Sequence, residues 1–272
     1  MRQLIKRLLV LLTSNTRSQR FLERSLIVCL GLMGIGKGSS PESSGERALV
    51  NKLKKGAPMG QSLCIFDVGA NRGRFLQMIE HGLQRVTLFH VYAFEPCQYT
   101  YQLLCKNAEG YSNVTLNNLG LGKQAGEFEL FYDMPGSGLA SLSRRRLDHF
   151  GIDFKYSERV RIDTIDEYCR LNSIQIIDLL KLDVEGHELD VLRGGQQMFS
   201  KGKIKMVSFE FGGCNIDART YFQDLYYFFK ENGMNKIFRI TPSGFLMPIF
   251  DYKEIYEQFI TTNFVACQSE TC

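Results

Sequence analysis

The sequence predicts a doubly wound, Rossmann-like α/β domain with a helical extension at its N-terminus. Two observations carry this prediction. From residue 63 onward, short apolar runs alternate with segments of helical spacing, and a glycine-rich turn follows the first run. Such runs form the buried strands of a mostly parallel sheet, with helices on both faces and right-handed crossovers. A length of 272 residues, 44% of them hydrophobic, is sufficient for one full-sized domain.

The elements of the domain follow from these runs in chain order. Strands are predicted at residues 63–68, 89–94, 113–119, 176–184 and 204–211, with helices over residues 72–81, 97–107, 187–199 and 218–231. Beyond them come short strands at residues 237–240 and 245–249, a helix over residues 252–259 and a strand at residues 264–267. Residues 126–172 break the alternation of strand and helix, so this insertion is predicted to add a strand pair and a lid.

The N-terminal part is predicted to be helical and then to form a linker. Residues 1–12 have a basic start and apolar residues at helical spacing, and residues 26–35 form a second apolar run that is too short to span a bilayer. Residues 34–46 are rich in glycine and serine. We therefore place the extension and linker at residues 1–46 and the α/β domain at residues 47–272.

Composition limits the location and the partners. We expect a cytoplasmic protein whose N-terminal helices pack on the domain or lie on its surface; a short signal peptide, or contact of residues 1–35 with a membrane surface, stays open. The net charge of +4 is too small to predict a specific nucleic-acid partner. The eight cysteines form no CxxC pair and indicate no zinc site.

The turn after the first strand has the chemistry of a cofactor-binding loop. Gly69 and Gly73 let the backbone approach a ligand at a helix N-terminus, with Ala70 between them. Asn71 stands where a dinucleotide-binding loop needs its second glycine. Asp67, at the strand end, would repel a pyrophosphate but can receive an ammonium group. The loop therefore favours a cofactor with a cationic amino-acid group over a dinucleotide.

A second cofactor contact is predicted at the end of the next strand, where Glu95 precedes Pro96. An acid at this position can accept hydrogen bonds from both ribose hydroxyls, a role common to nucleoside-binding α/β folds. Alone it does not distinguish one nucleoside cofactor from another. Together with Asp67 and the glycines, it places a nucleoside over the first two strands.

The reaction centre is predicted at the segment LKLDVEGHE. Asp183, Glu185 and His187 follow a central strand at the sheet edge where open α/β sheets bind ligands, and Asp183 is also expected to contact the cofactor. Each is a candidate base or substrate-orienting residue. Glu210, at the end of the next strand, is a further candidate. These carboxylates could chelate Mg²⁺, but no third ligand has a defined position, so no metal is predicted.

The segments FDVGANRG, AFEP, LLKLDVEGHELDVL and VSFEFGG resemble the hallmark segments of the FkbM-type class I methyltransferases. The resemblance covers roughly residues 62–267. It implies a seven-stranded sheet whose last strand is antiparallel, and S-adenosylmethionine as the cofactor. It also implies O-methylation, with a hydroxyl of a sugar, a glycan or a natural-product-like small molecule as the acceptor. The identity of the acceptor and the oligomeric state stay open.

Two other functions are weighed against this one. The insertion carries three consecutive arginines, Arg144, Arg145 and Arg146, which are interpreted either as a solvated loop or as part of a lid that anchors an anionic substrate. As an RNA-binding patch they would make the chain an RNA methyltransferase, the runner-up. An NAD-linked oxidoreductase is disfavoured by Asn71 and Asp67.

Overall fold

The computed structural model describes residues 2–38, 44–56, 61–84 and 86–268. Its helices are α1 Arg2–Thr13, α2 Thr16–Met33, α3 Arg47–Gly56, α4 Arg74–Leu83, α5 Gln98–Asn107, α6 Ile165–Leu171, α7 Glu188–Arg193, α8 Gln196–Ser200, α9 Cys214–Ala218 and α10 Phe222–Glu231. Its strands are β1 Leu63–Val68, β2 Phe89–Phe94, β3 Val114–Asn117, β4 Gly120–Leu121, β5 Gly126–Tyr132, β6 Tyr156–Asp163, β7 Leu179–Leu182, β8 Met206–Phe211, β9 Lys236–Ile240, β10 Leu246–Ile249 and β11 Thr262–Cys267.

The main sheet has the order β10-β9-β11-β8-β7-β1-β2-β3. Strands β8, β7, β1, β2 and β3 are parallel, whereas β11 is antiparallel to both β8 and β9. Successive side chains alternate between two buried clusters, as Ile65 and Phe66 illustrate, so both faces of the sheet are covered. The predicted doubly wound fold is confirmed, including an antiparallel last strand.

The sheet has eight strands rather than the expected seven, because β10 pairs with β9 as an antiparallel hairpin at the sheet edge. Pro248 lies in β10. Proline has no N–H to donate and is tolerated in a strand at such an edge. The additional strand therefore ends the sheet without offering a full row of donors.

Two helix predictions need correction. The predicted helix over residues 187–199 is interrupted at Gly194, where a Cβ would lie 2.0 Å from the carbonyl oxygen of Gly122. The predicted helix over residues 252–259 is wrong: only the 3₁₀ turn Glu254–Tyr256 forms there. The Glu257 carboxylate instead accepts the backbone N–H groups of Phe222 and Gln223, so this segment caps the start of α10.

The insertion forms a small sheet with the order β4-β6-β5, in which β5 and β6 are an antiparallel pair. The predicted strand pair is therefore present. An isolated bridge between Phe131 and Ser141 returns the chain toward the main sheet. The segment after β5 is thereby held over the carboxyl ends of the parallel strands.

The predicted linker packs against the domain where it is described. The Gly36 N–H donates to the Thr261 carbonyl oxygen at 2.8 Å. A Cβ on Gly45 would lie 2.1 Å from the Thr241 carbonyl oxygen, so the backbones approach more closely than a side chain would permit. The glycines that gave this segment the composition of a linker therefore allow close packing. By contrast, α1 and α2 contribute no buried side chain.

Candidate active site

A cavity of about 470 Å³ opens at the carboxyl ends of β1, β2, β7 and β8. Residues 136–142 of the insertion form its opposite wall, as expected of the predicted lid. Nine of the predicted site residues line it: Gly69, Ala70, Asn71, Glu95, Pro96, Asp183, Glu185, His187 and Glu210. The structure therefore brings the predicted cofactor and reaction residues to one site.

The turn after β1 is shaped by close backbone contact with the end of β7. Gly69 has φ +81°, and a Cβ there would lie 1.9 Å from the carbonyl oxygen of Asp183. The N–H groups of Gly69 and Ala70 both donate to the Phe94 carbonyl oxygen. Asn71 also has a positive φ, of 48°. Only glycine fits at position 69, because any side chain would separate the two strand ends.

Glu95 is a buried carboxylate held by the backbone of this turn. Its Oε2 accepts the Asn71 N–H at 2.9 Å, and its Oε1 accepts the Cys97 N–H at 3.0 Å. Each oxygen keeps a lone pair for a further donor. Burial raises the pKa of Glu95 to about 7, although the two N–H groups oppose the increase. The side chain is therefore fixed in position before a ligand arrives.

Asp67 and Gly73 are not among the residues that line the cavity, so their assignment to the cofactor, for Asp67 directly or through water, stays a prediction. Asp67 is fully buried, and neither carboxylate oxygen has a hydrogen-bond partner among the described residues. Burial raises its pKa to about 6. Gly73 caps α4 with φ +81°, where a Cβ would lie 2.9 Å from Leu104 Cδ1. Gly73 thus permits helix packing.

Lys181 connects Asp67 to the cavity. Its Nζ lies 3.7 Å from Asp67 Oδ1 and 3.0 Å from Asp183 Oδ2. Burial alone would lower the pKa of Lys181, but Asp183, Asp67 and Glu46 together outweigh it and raise the pKa. The lysine therefore stays charged and holds the Asp183 carboxylate toward the cavity, where that side chain is 40% exposed.

Glu46 also lines the cavity, although it belongs to the predicted linker. It is 4% exposed and accepts a hydrogen bond from the Ser44 hydroxyl at 2.8 Å. Burial raises its pKa, and Lys181 is the cation that opposes this increase most strongly. Neither Glu46 nor Lys181 was predicted from the sequence as a site residue.

The turn after β7 presents Glu185 to the cavity in a left-handed conformation, with φ 51°. Arg145 donates to Glu185 Oε2 at 2.5 Å. Burial, reinforced by the charge of Asp183, nevertheless raises the pKa of Glu185 to about 8. The Ser141 hydroxyl donates to the Glu185 carbonyl oxygen at 2.9 Å, which joins the lid to this turn.

His187 has hydrogen-bond partners at both ring nitrogens. Nδ1 lies 3.0 Å from Asp190 Oδ2, and Nε2 lies 3.0 Å from the Ser143 hydroxyl oxygen. The hydrogen bond to His187 lowers the pKa of Asp190, so this carboxylate is the acceptor for Nδ1–H. In the neutral ring Nε2 then carries the lone pair, which is the arrangement of a histidine base oriented by an acid.

The two remaining acids near this turn differ in their surroundings. Glu188 is fully buried and accepts the N–H groups of Val184 and Gly186, so it stabilises the turn. Glu210 lines the cavity, and its pKa is raised well above the ordinary value by burial and by the charges of Asp183, Glu185 and Glu188. Burial and these neighbouring charges thus oppose ionisation of Glu210, whose carboxyl faces the cavity as a candidate hydrogen-bond partner for a ligand.

The three arginines of the insertion do not form a continuous basic surface. Arg145 points inward to Glu185 and lies 3.7 Å from Asp217 Oδ2, with a side chain only 8% exposed. Arg146 is exposed and pairs with Asp148. Because Arg145 is already paired with two acids, it is not free to anchor an anionic substrate.

Two carboxylates of the site form ion pairs with cations of the chain itself: Asp183 with Lys181, and Glu185 with Arg145. Within the ranges that the structure describes, no group of three or more His, Cys, Asp or Glu side chains is arranged to hold a metal ion.

Comparisons with known proteins identify the family of the chain. A family model described as the methyltransferase FkbM domain matches residues 67–235. Methyltransferase 1 from Beauveria bassiana is 28% identical over 160 residues, which are 53% of this chain and 63% of that protein. Methyltransferase sdnD from Sordaria araneosa is 30% identical over 158 residues, 48% of this chain and 59% of that protein.

A third relative aligns over more of its length. The 2-O-methyltransferase NoeI from Sinorhizobium fredii is 24% identical over 204 residues, which are 68% of this chain and 79% of that protein. The chain spans about three fifths of the length of the first two relatives.

Proposed function

This chain belongs to the FkbM family of methyltransferases, and we propose that it transfers a methyl group to a hydroxyl of a sugar, a glycan or a natural-product-like small molecule. The methyl donor is S-adenosylmethionine. The O-methylation proposal rests on the hydrogen bonds of His187, a residue that lines the cavity. Its Nδ1 is hydrogen-bonded to the Asp190 carboxylate and its Nε2 to the Ser143 hydroxyl.

The residues present fit this donor, which when bound supplies an electrophilic methyl group on a sulfonium. A cavity of about 470 Å³ is within the usual range for small-molecule sites. Glu95 would accept the ribose hydroxyls with its remaining lone pairs, and the turn at Gly69 would let the ligand lie against the backbone. Asp183 and Glu46 would receive the cationic groups of the methionine portion.

The order of the strands separates two ends of the cavity. Glu95 follows β2 and Glu210 ends β8, three strand positions away, or about 14 Å at the usual strand spacing. The nucleoside would lie over β1 and β2, and the acceptor over β7 and β8. Asp183 and His187 stand between them, where the methyl group would pass to the acceptor oxygen.

In this proposal His187 is the general base. An acceptor hydroxyl would replace Ser143 as the hydrogen-bond partner of Nε2 and lose its proton to that nitrogen as the O–CH₃ bond forms and the S–CH₃ bond of the donor breaks. Asp190 would hold the ring in position and stabilise the resulting imidazolium. Alignment of the oxygen with the methyl carbon in a site closed by the lid contributes the rest of the rate increase.

The acceptor end is suited to a polyhydroxylated molecule. Burial and the neighbouring carboxylates raise the pKa of Glu210, and in its protonated form this carboxyl would donate to one ligand oxygen and accept from another. Arg145, which lines the cavity, is already bound to Glu185 and Asp217 and is therefore not free to bind a phosphate. A pair of sugar hydroxyls matches these donors and acceptors better than the phosphates of an RNA backbone do. The family excludes the NAD-linked oxidoreductase.

The test compares His187→Asn with His149→Asn, a matched change at an exposed histidine outside the cavity. Tritium transfer from labelled S-adenosylmethionine is measured on a panel of mono- and oligosaccharides, with the methylated atom located by NMR. We expect His187→Asn to reduce turnover by about 10²- to 10⁴-fold. Cofactor affinity, measured by calorimetry, should stay within about twofold, because His187 acts on the acceptor. Full turnover in His187→Asn, or methylation at nitrogen, would contradict the proposal.

A further inference from the structure

The two N-terminal helices expose a large apolar surface, which we call the N-terminal apolar surface. Neither helix contributes a buried residue. Its members are side chains that are each at least 40% exposed: Leu4, Ile5, Leu8, Leu9, Val10, Leu11, Leu12, Phe21, Leu22, Leu26, Ile27, Val28, Leu32 and Met33. A soluble protein rarely leaves so many large apolar side chains together in water, so this surface needs a covering partner.

Helix α1 has a basic N-terminal half and is apolar on all sides from Leu8 to Leu12. Leu4, Leu8 and Leu11 recur at helical spacing on one side, and Arg2 and Lys6 lie on the other. The helix has 12 residues, and a helix of this length is only marginally stable in water without packing. The medium that covers the apolar side should therefore also stabilise the helix.

The polar side of these helices carries nearly one sign of charge. Their cations are Arg2, Lys6, Arg7, Arg17, Arg20 and Arg24, all exposed. Glu23 is the single acid of α1 and α2. A second copy of the chain placed on this surface would bring like charges together, whereas an anionic surface would neutralise them.

The apolar surface continues onto the domain. An open groove lies between α2 and the hairpin of β9 and β10, lined on the helix side by Ile27 and Val28 and on the hairpin side by Phe245. Phe245 is itself 62% exposed. Helices and hairpin therefore form one continuous apolar face with a basic border.

We propose that this face docks the protein on a membrane surface that contains anionic lipid. The helices would lie in the plane of the interface, with their apolar side chains among the acyl chains and their arginines at the headgroups. No helix in the described part of the chain has an apolar stretch that could cross a bilayer. The proposal thus concerns a surface contact, and it does not depend on which hydroxyl is methylated.

Flotation of the full chain with vesicles tests the proposal, using phosphatidylcholine alone and phosphatidylcholine mixed with phosphatidylglycerol. The wild type should bind the anionic vesicles and be released by high salt. Arg20→Gln with Arg24→Gln should weaken that binding roughly 25-fold, from about fivefold per charge. Leu8→Gln with Phe21→Gln should weaken binding at least about tenfold.

Matched controls change the same residue types elsewhere on the surface. Phe150→Gln with Leu171→Gln replaces exposed apolar side chains outside the face, and Lys155→Gln removes an exposed cation. These variants should bind vesicles as the wild type does. Equal loss in the controls, or no wild-type binding to anionic vesicles, would overturn the proposal. So would a dimer in sedimentation equilibrium that Leu8→Gln with Phe21→Gln dissociates while vesicle binding is absent.

Discussion

Glu95→Gln is the sharpest test of the cofactor end of the site. Glutamine has one carbonyl oxygen and one NH₂ group, so it can accept only one of the two N–H groups that Glu95 now accepts, from Asn71 and Cys97. The other N–H would face a donor, which costs about 1–3 kcal/mol of folding stability. The ribose would also lose a charge-assisted acceptor worth about 1.5–3 kcal/mol. S-adenosylmethionine affinity should therefore fall about 10- to 100-fold.

The pKa of Glu95 gives this prediction a pH signature. Because the ribose hydroxyls donate to the ionised form, wild-type affinity should rise as the pH increases through about 7. Folding stability should change in the opposite direction. Between the ordinary pKa of 4.5 and about 7, the folded protein holds the proton that the unfolded chain has released, so stability falls as the pH rises. Glu95→Gln should remove the trend in affinity and the contribution of Glu95 to the trend in stability, whereas Asp67 and Glu185, whose pKa values are also raised, still contribute to the latter.

Calorimetry in buffers of different ionisation enthalpy measures affinity and proton release together. At pH 6.5 a carboxyl with a pKa of about 7 is about three quarters protonated, so the wild type should release up to about 0.75 more protons per cofactor bound than Glu95→Gln does. Glu127→Gln, the same change at an exposed position, is the control and should behave as the wild type. Unchanged affinity in Glu95→Gln, or equal proton release in both proteins, would refute the assignment of Glu95 to the ribose.

The remaining predictions concern Gly69 and Lys181, which both line the cavity. Gly69→Ala should destabilise the protein by at least about 3 kcal/mol in urea unfolding, because its Cβ would meet a carbonyl oxygen. The control is Gly110→Ala, at a position with a similar φ of +91° and open space around it, which should cost only about 1 kcal/mol. Equal losses in the two variants would contradict the steric argument. Lys181→Met should cost about 3 kcal/mol by leaving buried carboxylates unpaired. Adding Asp67→Asn should recover part of that loss, and additive losses would show that the pair is not coupled.

The part of the site predicted from sequence was the part carried by strand ends. Strands β1 and β2 were predicted at their observed bounds, and their last residues led to Gly69 and Glu95. Apolar runs reveal such strands because burial on both faces removes polar residues from them. A polar residue just after such a run must then lie at the ligand-binding edge.

Lys181 was missed although the sequence contains its signal. It lies in the apolar strand LLKL, two residues before Asp183, so both side chains project to the same side. A lysine is almost never buried without a partner. The register pairs Lys181 with Asp67 across β7 and β1, which supplies that partner. An unexplained lysine inside a buried strand should thus have been assigned to the acids at the strand ends.

Charge patterns were less informative than strand ends, as the three arginines illustrate. Their sequence alone allowed a lid, an anion anchor or an RNA patch. In the structure, the bridge between Phe131 and Ser141 turns the chain so that Arg145 enters the domain while Arg146 stays outside. The acids that hold Arg145 inward, Glu185 and Asp217, lie 40 or more residues further along the chain, so local composition contains no information about which arginine faces inward.

The predicted boundary at residue 46 illustrates a related limit. Composition separates the extension from the domain, but the cavity draws its wall from both, since Gly38 and Glu46 lie beside residues of the sheet edge. Gly38 fits only because it has no side chain: a Cβ would lie 2.5 Å from Thr261 Cγ2 and 3.3 Å from Glu210 Oε2. The chain that leaves α2 therefore passes directly over the acceptor end of the site. Gly36 and Gly38 pack on Thr261, next to Glu210 in space, so the linker part of the extension contributes directly to the wall of the cavity.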